Sequence, residues 1–146
     1  MKKRRYSREI TLKILYQRDT SGRPLKEIEE NTFANENVTD EIKEFAVELA
    51  IGTAYHLSEI DMTLSKLADH WKIDRMAVID RNILRIALFE LLYKSDTPIN
   101  VIINEAIEIA KKYGDSKSYQ FINGILDKAA KEIRKDAVIT KIANNV

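Results

Sequence analysis

The N-terminus of this sequence combines basic side chains with an aromatic one. Helical spacing places Arg5, Arg8 and Tyr16 along one side of a first helix, which we expect to run from about Tyr6 to Asp19. Phosphates need cations and unstacked bases need a flat apolar surface, so this combination suits single-stranded RNA. The alternative is a disordered basic tail with Tyr16 in the core. The candidate RNA-binding cations are Lys2, Lys3, Arg4, Arg5 and Arg8.

Charge is segregated along the chain, although the formal net charge is only +1. Residues 1–18 carry seven basic side chains and one acidic, whereas residues 19–61 carry three basic and eleven acidic. The remaining residues carry fourteen basic and eleven acidic side chains. This asymmetry predicts an anionic partner at the N-terminus.

No motif in the sequence carries a recognisable catalytic chemistry. A GxSxG elbow, a GxxxxGK[ST] phosphate loop, a GxGxxG turn and an HExxH helix are all missing. Cysteine is also missing, which excludes a thiolate nucleophile and a zinc ribbon. His56 and His70 have no second ligand at metal-binding spacing, so we interpret them as structural or surface histidines. We therefore expect no enzymatic activity, no cofactor and no metal.

Length and composition fit a single domain, because 146 residues with 45% apolar side chains suffice for one core. We assign residues 1–136 to one helical domain and residues 137–146 to a tail or helix extension. The N-terminus lacks the apolar region of a signal peptide, and the longest apolar run is too short to span a membrane. These features predict a soluble, cytoplasmic protein.

The stretch from Ile83 to Tyr93, ILRIALFELLY, contains only two polar residues, Arg85 and Glu90. A helix that is apolar on every side needs partners on every side, so we expect it to be the buried centre of an all-α fold. Amphipathic helices should wrap around it. We also expect Glu90 to meet a basic residue of a neighbouring helix, because an unpaired carboxylate is costly there.

The helices before the central one are predicted from caps and apolar spacing. One should run from Leu25 to about Thr32, and Thr39 should cap the next one. The apolar pattern then shifts near Leu57, which predicts a break with Ser58 and Asp61 as a capping box. The apolar stripe expected after this break consists of Leu57, Ile60, Leu64, Leu67, Ala68 and Trp71.

After the break, Asp74 and Asp80 are candidate caps of the central helix. The next helix should run from Pro98 to Tyr113, with Gly114 as its stop.

In that helix we expect Glu108 and Lys112 to pair on the solvent side. The last helix should start at Asp115 or Ser116. Phe121 falls about 100° off its apolar stripe, which predicts an exposed ring, and Gly124 indicates a close contact between backbones.

Over essentially residues 3–135 the sequence resembles the NusB family of bacterial transcription antitermination factors, and three stretches carry the resemblance. They are RRYSREITLKILYQ, DRNILRIALFELLYKSDTPINVIINEAIEIAKKYG and KSYQFINGILDKAAKEIR. The most specific feature is INEAIEIAKKYG followed by FINGILDK. The resemblance implies an all-α fold of about seven helices in two packed subdomains.

The resemblance also implies a function without catalysis. Family members bind single-stranded boxA RNA of ribosomal RNA leaders together with the ribosomal protein NusE, and RNA polymerase then resists termination. The family's arginine-rich helix start maps onto Arg4, Arg5 and Arg8, and its aromatic RNA contacts map onto Tyr16 and Phe121. Two further positions follow from the family pattern, Lys117 as an added RNA-facing cation and Asp80 as part of the partner surface.

Two other functions remain open at this stage. The chain could be a helical protein-interaction module without RNA selectivity, or the RNA-binding subunit of an enzyme that modifies ribosomal RNA. The second would need a separate catalytic chain, because 146 residues leave no room for a methyltransferase domain. The broad apolar helix faces leave the choice between monomer and homodimer open.

Overall fold

The computed structural model describes residues 2–69 and 71–134 and shows seven α-helices and no strand within them. His70 and the predicted tail, residues 137–146, lie outside the described residues. The all-α prediction is confirmed. The helices are α1 (Lys2–Ser21), α2 (Leu25–Asn35), α3 (Asp40–Tyr55), α4 (Leu57–Leu67), α5 (Val78–Tyr93), α6 (Ile99–Tyr113) and α7 (Ser118–Ile133).

The central helix, α5, is enclosed by the others, as the sequence predicted. Every side chain from Ile83 to Leu91 is buried, including the two polar ones. Helices α3, α4, α6, α7 and one side of α1 pack around α5. The helix begins at Val78 after Ala77, and no side chain caps it. Neither Asp74 nor Asp80 is its cap, because Asp80 already lies in its first turn.

Two apolar clusters divide the helices into two packed groups. The larger cluster surrounds α5. The smaller one joins α1, α2 and α3, and α1 and α3 contribute to both clusters. The long first helix therefore connects the two groups, which explains how one chain forms two subdomains. The smaller cluster consists of Ile10, Ile14, Ile28, Ala46 and Ala50.

Several local predictions are confirmed. Thr39 caps α3, with its hydroxyl accepting a hydrogen bond from the backbone nitrogen of Ile42. The predicted break separates α3 from α4 at His56. Pro98 and Gly114 flank α6 as its two caps.

The expected capping box of α4 is wrong, because no side chain caps that helix. Its Asp61 instead accepts two hydrogen bonds from Arg85, at 2.8 and 2.9 Å. Trp71 was expected to continue the apolar stripe of α4, but it is 56% exposed. The helix ends at Leu67, and Asp69 then adopts a φ of 53°, so the helical spacing does not reach the tryptophan.

Two predictions about close contacts are also wrong. Lys112 pairs with Glu9 of α1 and not with Glu108. Among the described residues outside the adjoining turns of α7, no atom lies within 4 Å of a Cβ placed on Gly124, so no backbone from another helix approaches it. The close approach occurs at Gly52, where an added Cβ would overlap the ring of Phe89.

The described residues contain no helix with the length and hydropathy needed to span a membrane.

Candidate nucleic-acid interface

Helix α1 runs beside α6 in the same direction, and ion pairs tie the two helices together. The Arg5 guanidinium donates two hydrogen bonds to Glu105, at 2.6 and 3.1 Å. One turn further along, the Lys112 ammonium donates to Glu9 at 3.0 Å. Both carboxylates are nearly buried, whereas the side chains of Arg5 and Lys112 remain 42% and 59% exposed. The two cations therefore present their free sides to solvent.

These pairs also keep the cations charged. The hydrogen bond to Glu105 raises the pKa of Arg5, and burial opposes this only in part. The hydrogen bond to Glu9 likewise raises the pKa of Lys112. Arg5 and Lys112 therefore both stay protonated over the whole physiological range of pH, and we call the surface between α1 and α6 that carries them the cationic seam.

The first turn of α1 presents further cations. Lys2, Lys3 and Arg4 are all exposed. The Lys3 ammonium lies 3.3 Å from Glu41 in an exposed pair, which solvent screens. The Arg4 guanidinium lies over the Phe45 ring of α3, 4.5 Å from its centre, which is within the range of a cation–π contact. The helix starts at Lys2, four residues earlier than the sequence predicted, so these cations are ordered by the helix.

Arg8 differs from the other predicted RNA contacts, because it is buried. Its side chain is 4% exposed and donates two hydrogen bonds to Glu90, at 3.0 and 2.8 Å. A phosphate could reach this guanidinium only if the pair broke. This corrects the expectation that Arg8 contacts RNA. It also confirms the expectation that Glu90 meets a basic residue of a neighbouring helix.

An aromatic groove of about 260 Å³ lies beside the seam of α1 and α6. Tyr16 lines it from α1 and is 40% exposed, so the alternative that Tyr16 belongs to the core is wrong. Tyr113 lines it from the end of α6, and the Lys112 ammonium lies 5.2 Å from the centre of that ring. The groove is completed by Leu12, Lys13, Gln17 and Ile79.

Sequence reasoning missed Tyr113 and Lys112 as candidate site residues. The available signal was KKYG at the end of α6, where lysines precede an aromatic residue as they do near Tyr16. Only the packing of α1 against α6 brings the two tyrosines into one groove. That packing involves residues far apart in the sequence, and the spacing of side chains along one helix does not reveal it.

The start of α7 carries the two remaining predicted RNA contacts. Asp115 accepts hydrogen bonds from the backbone nitrogens of Lys117, at 2.8 Å, and Ser118, at 3.1 Å, which fixes the first turn. Lys117 is exposed, and Phe121 is 38% exposed. The prediction that the Phe121 ring reaches solvent is confirmed. Its contact with RNA stays a prediction.

Asp80, the predicted partner contact, lies at the start of α5 and is 8% exposed. Burial raises the pKa of its carboxyl, and the nearby Ser118 hydroxyl only partly opposes this. Within the described residues no donor reaches its Oδ1 atom. Because Ile79 lines the aromatic groove and Ser118 begins α7, Asp80 connects the groove to the region of Lys117 and Phe121.

The arrangement is suited to binding anions and flat rings. Within the described residues no three His, Asp or Glu side chains form a group that could hold a metal ion. The cationic seam can contact phosphates, and Tyr16, Tyr113 and Phe121 can each offer a ring to a base.

Comparison with known proteins gives a consistent result. The model of the NusB family matches residues 5–131. The transcription antitermination protein NusB of Thermodesulfovibrio yellowstonii is 46% identical over 140 residues, which cover 89% of this chain and 93% of that protein. NusB of Desulfitobacterium hafniense is 45% identical over 134 residues, or 90% of each protein.

Solved structures show the same similarity. NusB of T. maritima superposes with a TM-score of 0.82 at 42% identity, covering 88% of this chain and 91% of that one. A NusB chain from the structure of antitermination factors NusB and NusE in complex with double-stranded RNA gives a TM-score of 0.83 at 27% identity. That match covers 90% of this chain and 98% of the other.

Proposed function

The chain belongs to the NusB family of transcription antitermination proteins, and from this membership we propose that it binds single-stranded boxA RNA jointly with NusE. The boxA element would lie in the leader of a nascent ribosomal RNA. The complex would make RNA polymerase resist termination. The protein would act by binding alone, in the cytoplasm where bacterial transcripts are made.

The observation that carries this proposal is the aromatic groove beside the cationic seam. Tyr16 and Tyr113 provide rings for unstacked bases, while Arg5 and Lys112 hold charge where a phosphate backbone would pass. Base stacking on an aromatic ring contributes about 1 to 3 kcal/mol per base. Stacking favours single strands over a duplex, whose bases are already stacked on one another.

The proposed RNA-binding surface extends on both sides of this groove. On one side it continues to the exposed cations of the first turn of α1, Lys2, Lys3 and Arg4. On the other it continues to Lys117 and Phe121 at the start of α7. Arg8 is left out, because it is buried against Glu90.

We place the NusE contact at Asp80 and its surroundings. Asp80 itself is 8% exposed, so the partner would contact the start of α5 around Asp80 and not its buried Oδ1 atom. The position between the groove and α7 lets one partner touch both the protein and an RNA that crosses the groove. The solved complex of NusB and NusE with RNA supports a joint assembly of this kind.

The test is a set of binding titrations with three RNAs, each with and without NusE. The RNAs are a boxA-like single strand, a scrambled single strand and a duplex of the boxA sequence. We expect the boxA strand to bind most tightly and NusE to increase the difference. The duplex is included because the related complex contains double-stranded RNA.

Two results would contradict the proposal. Equal affinity for the boxA and scrambled strands in every condition would favour a protein-interaction module. Preference for the duplex would assign the surface to helical RNA. The RNA-modifying alternative predicts binding of mature ribosomal RNA segments without any dependence on NusE.

A further inference from the structure

The outer face of α3 carries apolar side chains that remain exposed in the described part of the chain. Tyr55 is 83% exposed and Ile51 is 50% exposed. Val47, Ile51 and Tyr55 follow each other at four-residue spacing, so they form one stripe along the helix. Large exposed side chains in such a row are typical of a protein-binding surface.

The stripe lies on the side of α3 that faces away from α1, while Lys3 and Arg4 of the proposed RNA-binding surface reach Glu41 and Phe45 of α3. The opposite side of α3 packs on α1, where Ser7 and Thr11 donate hydrogen bonds to the carbonyl oxygens of Ile42, at 2.8 Å, and Ala46, at 3.1 Å. A second ligand on the stripe would therefore bind independently of RNA in the groove of Tyr16.

Two grooves border the first residue of the stripe, Val47. A groove of about 430 Å³ between α2 and α3 is lined by Phe33 and Val47. Another of about 510 Å³ also has Val47 in its wall, together with Glu44 and Glu48. An apolar stripe bordered by grooves is the surface that an amphipathic helix fills with side chains spaced three and four residues apart.

The far end of the stripe is a fixed aromatic cluster. The His56 ring stacks on Tyr93 with centroids 4.0 Å apart, and Tyr55 meets His56 edge-on at 4.9 Å. The Tyr93 hydroxyl donates a hydrogen bond to Glu59, which raises the pKa of Tyr93 to about 12. These contacts hold His56 and Tyr93 in one orientation. A partner would therefore lose little conformational entropy of these rings on binding.

The charges around the stripe are mostly negative. Residues 19–61, which include α2 and α3, carry three basic and eleven acidic side chains. Glu29 and Glu30 line the groove between α2 and α3 together with Lys26 and Lys43, and no donor among the described residues reaches the Oε1 atom of Glu29. The second groove is lined by Asp40, Glu44 and Glu48 with Lys43, and Glu48 is paired with Lys94. This balance favours a cationic ligand and disfavours the phosphates of RNA.

We propose that the outer face of α3 binds a basic amphipathic helix of another protein. The apolar side of that helix would cover Val47, Ile51 and Tyr55. Its arginine or lysine side chains would lie near Glu29, Glu44 and Glu59. The surface would link this chain to a basic protein while RNA occupies the groove of Tyr16, on the other side of α1.

The experiment uses two synthetic helical peptides of about 16 residues, which match the length of α3. Both carry the same leucine stripe, flanked by arginine in one peptide and by glutamate in the other. Each is titrated into the full-length protein, with the Kd taken from calorimetry and the site from amide NMR shifts. We expect the arginine peptide alone to bind, with shifts concentrated in residues 43–59 and at Tyr93.

Variants of the protein test which residues carry the binding. Tyr55→Ala should weaken the arginine peptide about 10-fold or more, as expected for a central aromatic contact. Glu44→Gln should weaken it several-fold and reduce its dependence on salt. Trp71→Ala is the matched control, since Trp71 is also an exposed aromatic residue but lies beyond the other end of α4. The thermal midpoint of each variant checks that it is folded.

Several outcomes would overturn the proposal. Equal binding of the glutamate peptide would show that charge does not select the ligand. An unchanged Kd in Tyr55→Ala would show that the stripe does not bind it. Shifts of the same residues by boxA-like RNA would make the face a nucleic-acid site. Self-association that Tyr55→Ala abolishes would assign the face to a second copy. Peptide binding only after deletion of residues 135–146 would assign it to the chain's own C-terminal segment.

Discussion

Arg8 of α1 and Glu90 of α5 form an ion pair with two hydrogen bonds in the protein interior, 82 positions apart in the sequence. Their side chains are 4% and 2% exposed. The pair joins the first helix to the central one beneath the proposed RNA-binding surface. Each charge offsets the desolvation cost of the other. Replacing one of the two residues alone therefore leaves an unpaired buried charge.

We therefore expect Glu90→Gln to lower the free energy of unfolding by about 3 to 5 kcal/mol, because it leaves the Arg8 guanidinium buried without its counter-charge. Urea denaturation measures this change. The control is Glu41→Gln, which removes the partner of Lys3 in an exposed pair and should change stability by less than about 1 kcal/mol. Equal, small effects in the two variants would mean that solvent reaches Glu90.

The burial of Arg8 leaves four N-terminal cations for phosphate contacts: Lys2, Lys3, Arg4 and Arg5. At about 0.7 per contact on a single strand, these four cations should contribute roughly −3 to the log-log salt slope of RNA binding, in addition to Lys112 and Lys117. Their contribution alone should lower affinity on the order of 50-fold between about 50 and 200 mM salt. Replacing the three exposed cations, Lys2, Lys3 and Arg4, with glutamine should make the slope less steep by about 2.

The thermal midpoint of this triple variant should stay nearly unchanged, because the three side chains are exposed. A slope as steep as that of the wild type would remove the first turn of α1 from the RNA site.

The elements predicted well from the sequence are those whose signals are local. The apolar run of α5, the Pro98 and Gly114 boundaries of α6 and the Thr39 cap each act within a few residues. The wrong boundary predictions have local causes too. The helical spacing of apolar residues in α4 continues to Trp71 in the sequence, but the helix itself ends at Leu67.

The site was harder to predict, because it depends on which helices touch. The sequence does not distinguish an exposed arginine, such as Arg4, from one that is buried in an ion pair, such as Arg8. The cost of burying a carboxylate predicts a cation near Glu90. Only the packing of α1 against α5 shows that this cation is Arg8. Tyr113 joined the site only through the contact between α1 and α6.

The pKa of the Asp19 carboxyl predicts how the stability of the fold depends on pH. Burial would raise the pKa of its carboxyl, but hydrogen bonds from Asn82 and Arg81 and the charge of Arg85 outweigh burial and lower it. A lowered pKa means that the folded state favours the charged carboxylate. Its contribution to stability is thus full above the unfolded pKa of about 3.9 and is lost as pH falls through the lower, folded value.

We expect Asp19→Asn to be less stable than the wild type by the same amount at pH 7 and pH 5. The difference should shrink below about pH 4. Urea denaturation across this range measures it. The control is Asp127→Asn, which removes an exposed carboxylate 3.3 Å from Lys131 and should cost less than about 1 kcal/mol at any pH. A difference that grows in acid would contradict the lowered pKa.

Phe121 separates RNA contact from folding, since its ring is 38% exposed whereas Ile125 on the same helix is buried. Loss of one stacked base costs about 1 to 3 kcal/mol, so Phe121→Ala should weaken boxA binding roughly 5- to 150-fold. It should destabilise the fold less than Ile125→Ala does. The salt slope should not change, because stacking displaces no counterions. Intact RNA affinity in folded Phe121→Ala would remove this ring from the site.

Tyr113 tests whether the aromatic groove holds RNA or NusE. Tyr16 and Tyr113 enter it from different helices, so a base that reaches the groove can contact both rings. We expect Tyr113→Ala to weaken boxA binding roughly 5- to 150-fold in the absence of NusE. Tyr113→Phe, which keeps the ring, should bind nearly as well as the wild type.

A double-mutant cycle with Tyr16→Ala then shows whether the two rings serve one base. If they do, losing the second ring after the first should cost less than losing it alone, because the base has already left the groove. Tyr55→Ala is the control, as an exposed tyrosine on the outer face of α3 that should not affect RNA. If Tyr113→Ala changes binding only when NusE is present, the groove belongs to the protein partner, and the bases must stack elsewhere, with Phe121 as the remaining exposed ring near Lys117.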